Sequence, residues 1–414
     1  MLRSVGIWCL LLIACGCRVP RVATVAHAPM PSVQVVAVEL PIVTPTKIEP
    51  DASALPTIDA KTAKPGVASG PFLGLTDEAC RALAEQHSPI ANQLDKENEA
   101  PTVSLVTHKQ PCPDTKSDDL VRQLRYLAAR EVRNRSAAEA LENYYRLADA
   151  EGRTELLAAG LRTFDQLRDV APRFRAAGLP NVPDDDEFNR QRAKLLTDAE
   201  QAEVGIRTLN MTMKMQLGQS VKGDERFWPT GPFGVSSDPL DVEAAVQTAL
   251  QSRPDLQFLR AMYHGLSIST LPLVNRQLQS TNGLLGSGSV PAIPALPRFL
   301  QKRLAPLRAA AEVEVNQRRE QLFLAIDDRE KLAATEVRVA ALQMESAARR
   351  VALAKSRAES YRDKVTKAGD KLADKLPAEI EWYRARADLI VEVMAWHTWK
   401  VKYRAAQGGF VSPE

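Results

Sequence analysis

Aromatic residues are scarce: Phe, Tyr and Trp make up 5% of the 414 residues, although 45% of the chain is apolar. A chain so lean in large core-formers favours helices that meet along narrow seams. Net charge is nearly absent as well. The 54 basic and 51 acidic residues leave a formal +3, which gives no electrostatic case for a nucleic-acid partner. The five histidines, His27, His87, His108, His264 and His397, are scattered, and none stands in an HExxH or Glu-x-x-His spacing that would hold a metal. No Walker loop, GxGxxG or GxSxG occurs. Gly283, Gly286 and Gly288 have no strand leading in and no basic residue close behind, so they read as a connector rather than a phosphate cradle. His397 lies among Trp396, Trp399 and Tyr403, which points to packing or interfacial anchoring. With no clustered acid, base, nucleophile or metal set, neither an enzyme nor a cofactor or metal is expected.

Cysteine is also rare, and three of the five fall in the first 17 residues. Arg3 precedes an apolar run from Val5 to Ala14, too short to cross a bilayer and typical of a secretory signal. The run ends in Leu12-Ile13-Ala14-Cys15, the pattern of a bacterial lipobox, so residues 1–17 read as a signal peptide with Cys15 acylated and Cys17 as the alternative. An ordinary secretory signal with incidental cysteines is the other reading. Outside the cytoplasm a disulfide between Cys80 and Cys112 is open, as are two free thiols.

Residues 18–71 are rich in Pro, Val, Ala and Thr, with prolines too closely spaced for helix or sheet. They read as a disordered tether, which at ~3.1 Å per residue reaches well over 100 Å. Two internal repeats follow. Leu75, Glu78, Ala79, Ala84 and Pro89 match Leu240, Glu243, Ala244, Ala249 and Pro254 at a constant offset. A hairpin turning at Ala177-Gly178-Leu179-Pro180 matches one turning at Ala368-Gly369-Asp370-Lys371-Leu372, and each ends at a further glycine, Gly218 or Gly408, about 40 residues on. The resulting organisation is 72–218 as a first helical repeat, 219–238 as a linker, 239–408 as a second repeat and 409–414 as a tail.

No Gly or Pro interrupts Leu307 to Ala368, about 60 residues and ~90 Å of helix. Phe323, Val337, Met344, Val351, Ala358, Val365 and Leu372 share one heptad position, with Ile326, Ala333, Ala340, Ala347, Ala354, Tyr361 and Ala368 three residues later. This alternation predicts a left-handed coiled-coil seam in which alanines let the backbones approach. The return helix is expected from Pro377 to Gln407. In the first half, Asp184, Asp185 and Asp186 start the returning helix, while Gly152, Gly160 and Pro172 predict a bend or break in the helix before it. The fold class is therefore mainly α: long antiparallel hairpins in two repeats, with little or no β.

These features resemble the TolC-like outer-membrane efflux proteins, whose two halves each carry a Leu-x-x-x-x-Ala-x-x-x-x-Pro lead-in and a long helical hairpin. Arg253-Pro254-Asp255-Leu256 closely resembles the motif opening each half. The resemblance implies a homotrimeric α-helical barrel, held at the periplasmic face of the outer membrane by the lipid anchor, serving as an efflux or secretion conduit with a periplasmic adaptor and an inner-membrane pump. It also implies that Gly178, Leu179, Gly369 and Leu372 form an adaptor-binding tip, beside which Asp184, Asp185 and Asp186 make an acidic ring. One departure is plain. Each half should insert membrane-spanning strands of about 10 residues, but only Thr102–Thr107 and Leu266–Ser269 offer alternation, and Pro272, Pro291, Pro294 and Pro297 stop the second. The membrane barrel is expected to be reduced or lost, and a barrel-less periplasmic coiled-coil lipoprotein acting as a spacer or adaptor-binding element is the alternative function.

Overall fold

The structure, a computed structural model, describes residues 40–44, 71–99, 115–178, 185–219, 225–236, 238–281 and 305–410. Cys15, Cys17, Cys112, Leu179, Asp184, Thr102–Thr107 and the Gly283–Gly288 connector lie outside them. In chain order the elements are β1 (Ile42–Val43), β2 (Phe72–Leu75), α1 (Asp77–Gln86), α2 (Pro89–Glu99), α3 (Thr115–Ala176), α4 (Asp185–Gln216) and β3 (Arg226–Pro229). They continue with α5 (Val242–Ser252), α6 (Pro254–Gly265), α7 (Leu271–Thr281), α8 (Ala305–Ala368) and α9 (Leu372–Ala406). The fold is mainly α, as the sequence predicts.

The repeat extends to the caps. Thr76 Oγ1 accepts the Ala79 amide at the start of α1, and Asp241 Oδ1 accepts the Ala244 amide at the start of α5, at the offset that relates the two halves. Pro89 and Pro254 open α2 and α6, where the missing amide hydrogen costs nothing. Among the described residues the glycines with positive φ are Gly178, Gly218, Gly369 and Gly408, at +73°, +66°, +55° and +70°. These are the four hairpin turns and stops, each a left-handed end that an L side chain would strain. The stops are also seats. A Cβ on Gly218 would lie 2.5 Å from His87 Nδ1, and one on Gly408 would lie 3.1 Å from Arg253 Cα. Each hairpin thus ends against the junction of its own repeat's two short helices.

The long helices form a layer in the order α4–α3–α9–α8, since α3 packs on α4, α9 on α3, and α8 on α9. One apolar cluster joins the ends of α3 and α4 to the start of α9 through Phe164, Leu167, Phe188, Leu376 and Ile380. At the other end Leu120, Leu124 and Leu127 of α3 meet Met262 of α6, Val274 of α7 and Leu322 of α8. The main core lies between, around Leu75, Leu141, Tyr144, Met213, Phe227, Ala347, Val393 and Trp396.

Several expectations are corrected. α3 runs unbroken across Gly152, Gly160 and Pro172. A glycine costs only about 1 kcal/mol in a helix interior, and buried Phe164, Leu167 and Ala171 hold the last turns where Pro172 loses one backbone bond. α9 starts at Leu372, so Pro377 lies inside it, held there because Leu376 and Ile380 dock on Phe164 and Phe188. Leu372 therefore begins the return helix instead of ending the seam. Within α8 the heptad holds from Ala333 to Ala358, but Phe323 is 61% exposed and Leu322 is fully buried in its place. Ala311, Leu322, Ala333 and Met344 are buried at eleven-residue spacing, a period that drifts opposite to the heptad and unwinds the left-handed supercoil.

A small sheet was not expected. Its order is β1-β2-β3, with β1 antiparallel to β2 and β2 parallel to β3. It places a strand within the 18–71 tether and another within the 219–238 linker. Gly74 donates to the Pro41 carbonyl at 2.8 Å, and a Cβ there would strike Val43 Cγ1 at 2.6 Å. Asn210 of α4 accepts the Phe227 amide at 2.7 Å and donates to the Ile206 carbonyl at 3.0 Å, which bolts β3 to the long helix. Residues 266–269, where a second membrane strand would begin, form a turn between α6 and α7.

Ala347 tests the seam. It is fully buried beside Met344, Val351 and Val393, so Ala347→Leu is expected to lower stability by about 1 to 3 kcal/mol. Arg349→Leu, at an exposed position, is expected to change it little; thermal melts followed by circular dichroism compare the two.

Candidate functional site

The described members of the predicted tip, Gly178, Asp185, Asp186, Gly369 and Leu372, lie at the turns of the two hairpins, at one end of the layer. Gly178 closes the α3 helix, Asp185 and Asp186 lie exposed in the first turn of α4, and Leu372 opens α9 at 49% exposure. Carboxylates in a first helical turn face the positive end of the helix dipole. Arg175 binds Asp185 at 2.6 Å across the turn. Both hairpins turn here because Leu376 and Ile380 of the second pack on Phe164 and Phe188 of the first.

The Arg253-Pro254-Asp255-Leu256 motif acts as a bolt. Arg253 reaches Asp255 at 3.1 and 2.9 Å, pairs with Glu336 of α8 and donates to the Ala406 carbonyl at the end of α9. Arg329 of α8 also donates to Asp255, at 2.6 Å. Burial alone would raise the Asp255 carboxyl, but the two guanidinium groups overcome it and hold it below the usual carboxylate range. Ser252 Oγ donates to the Gln407 carbonyl at 2.6 Å. The motif thus ties the second lead-in to both helices of its hairpin. The sequence signal for this was present, as opposite charges flanking a helix-starting proline.

Cys80 is a free, fully buried thiol, pushed well above its ordinary value by burial and by Asp77. His397 is 4% exposed and stacks on Tyr145 with ring centroids 4.7 Å apart. Burial, with Lys400 adding to it, lowers its value to about 4, while a hydrogen-bonding contact with the Phe233 backbone and the charge of Asp77 pull the other way. Among the described residues no group of three His, Cys, Asp or Glu side chains could hold a metal, and no helix is long and apolar enough to cross a membrane.

The outer edges of the layer carry a feature that heptad reading missed. At ~100° per residue, Val313, Leu324, Leu342 and Leu353 of α8 fall within about 40° of one another, and they are 57 to 72% exposed. Leu322, Ala333, Ala340, Ala347 and Val351, on the opposite side, are buried against this chain. α4 repeats the arrangement: Val204, Met211 and Met215 are 55 to 64% exposed, opposite buried Ile206 and Met213. Among the described residues the inner helix α3 exposes no large apolar side chain. A helix apolar on two faces has room for a second packing neighbour.

No family model matches the chain, and no curated protein matches it. Solved structures do match. The outer-membrane channel OprN is 17% identical, with 71% of this chain and 70% of that one covered at a TM-score of 0.52. CusC, described in terms of transmembrane channel formation, is 16% identical over 71% and 74% at 0.53. The open-state outer-membrane channel MtrE of Neisseria gonorrhoeae is 12% identical over 89% and 98% at 0.53. The chain has the fold of these outer-membrane channels.

Proposed function

We propose that the chain is a conduit component of an efflux or secretion system in the bacterial envelope, built from several copies whose long helices close into a tube. The observation that carries this is the pair of bare apolar edges on α4 and α8. The internal repeat supplies the rule for joining them. α3 corresponds to α8 and α4 to α9, so the joint of α3 on α9 within one chain, repeated once more, becomes α8 of one copy against α4 of the next. Such a head-to-tail contact closes a ring. Three copies, acylation at Cys15 or Cys17, and an adaptor and pump meeting the tip at Gly178, Leu179, Gly369 and Leu372 complete the reading. Asp184, Asp185 and Asp186 of each copy would then ring the tip and favour cations.

One observation favours the alternative of a barrel-less periplasmic spacer: residues 266–269, where the second membrane strand would begin, form a turn that leads into helix α7. Planar-bilayer recording of the detergent-extracted, full-length protein separates the two. Unitary conductance is expected of a conduit. Absence of conductance, with solubility free of detergent once the acyl cysteine is removed, would establish the spacer instead.

A further inference from the structure

We propose that the cleft between α1, α3, α9 and the Thr230–Gly234 loop binds a small aromatic zwitterion, a molecule of amino-acid type with an ammonium, a ring and a carboxylate. The cleft has a volume of about 540 Å³, within the ~300–1,000 Å³ of small-molecule sites. Tyr144 and Tyr145 of α3, Phe233 of the loop and His397 of α9 line it. Their rings already pack together, Tyr144 edge-on to Tyr145 at 5.1 Å and Phe233 edge-on to His397 at 6.1 Å. A π-surface therefore exists before any ligand arrives.

Charges of both signs line the same cleft. Asp77 and Glu78, in the first turn of α1, have no cation within ion-pairing distance among the described residues. Asp77 accepts only the Glu78 amide at 3.0 Å and the Tyr145 hydroxyl at 3.4 Å. Lys400 likewise has no carboxylate partner among the described residues, and its ammonium rests 5.3 Å above the Trp396 ring. A simple cation would be opposed by Lys400 and a simple anion by Asp77 and Glu78, whereas a zwitterion satisfies both. His397 adds the polar group between them. It is 4% exposed and lines the cleft, and the one polar protein group its ring approaches is the Phe233 backbone, at a geometry short of a full hydrogen bond. A neutral imidazole offers one donor and one acceptor, and a ligand's polar groups can take up the capacity that the Phe233 backbone leaves unused.

This site is independent of whether copies close a tube. Isothermal titration calorimetry of the full chain with L-phenylalanine, L-phenylalanine amide and 3-phenylpropionate tests it. Phenylalanine is expected to bind saturably, with each truncated probe about tenfold weaker. Lys400→Gln is expected to abolish the preference over the amide, and the Asp77→Asn, Glu78→Gln double variant the preference over phenylpropionate. Asp77 and Glu78 are exposed and Lys400 is partly so, and unchanged circular dichroism would show that folding is kept. No saturable heat with phenylalanine at millimolar concentration would overturn the proposal, as would equal affinities in wild type and both variants.

Discussion

Asp255→Ala is expected to destabilise the protein by about 3 to 5 kcal/mol, the scale for removing one partner of a buried ion pair. Asp255 receives both Arg253, whose side chain is 8% exposed, and Arg329. Its loss leaves Arg253 buried with Glu336 as its one ion-pair partner among the described residues and Glu131 as a more distant anion. The cost is concentrated because the same arginine holds α6, α8 and the end of α9 together. Replacing the bolt with apolar residues at both positions should cost less than Asp255→Ala alone, since the charges then left without a partner, Arg329 and Glu336, are partly exposed and keep water. The pH profile has a definite sign. The folded Asp255 carboxyl titrates below its unfolded counterpart, so its stabilisation is complete above the ordinary carboxylate range near pH ~4 and is lost as pH falls through the lower folded value. Urea titrations from neutral to acid pH should therefore show a steep acid limb in wild type that is shallower in Asp255→Asn. Equal acid limbs would remove Asp255 from the network's energetics.

What was legible in the sequence was what short-range chemistry determines. The four glycine stops could be read because a helix that reverses needs a left-handed residue, and only glycine adopts that freely. The paired lead-ins could be read because cap, apolar face and proline recur at one offset. The heptad was legible only where neighbours obey it: α8 follows it beside α9 from Ala333 to Ala358, but toward its start the neighbours become α6 and α7, and Leu322 replaces Phe323 as the buried residue. The early start of α9 was hidden because Phe164 and Phe188, about two hundred residues away, stabilise a turn that Pro377 weakens. The sheet was invisible for a similar reason. Strands of two to four residues carry no alternation to count, and β2 pairs with β3 across about 150 residues of chain. The turn glycines and the first-turn carboxylates were found by position, whereas the bare edges needed exposure values, because an apolar helix face looks the same in sequence whether or not its own chain covers it.

The edges yield the second large effect. Leu342→Glu combined with Leu353→Glu is expected to reduce the assembled protein to single chains, because both positions are more than 60% exposed in one copy and would be buried only against a neighbour. An unpaired carboxylate buried at such a joint costs about 3 to 5 kcal/mol, enough to break it at micromolar concentration if the joint is of ordinary strength. For the same reason the melting temperature and helicity of the single chain should not change, since neither leucine packs within its own copy. Met211→Glu combined with Met215→Glu, on the α4 edge, should act alike. The decisive step is to mix the two variants. In a head-to-tail joint, a copy lacking the α4 edge retains an intact α8 edge, and the other variant retains α4, so the mixture should form one-to-one pairs that cannot close into a ring. Sedimentation of the mixture in detergent should therefore show heterodimers, while each variant alone sediments as a monomer. If α8 instead paired with α8 across a two-fold axis, the α4 variant would still dimerise alone and mixing would add nothing. Either that pattern, or full assembly of the α8 variant, would rule out the ring built on the internal repeat.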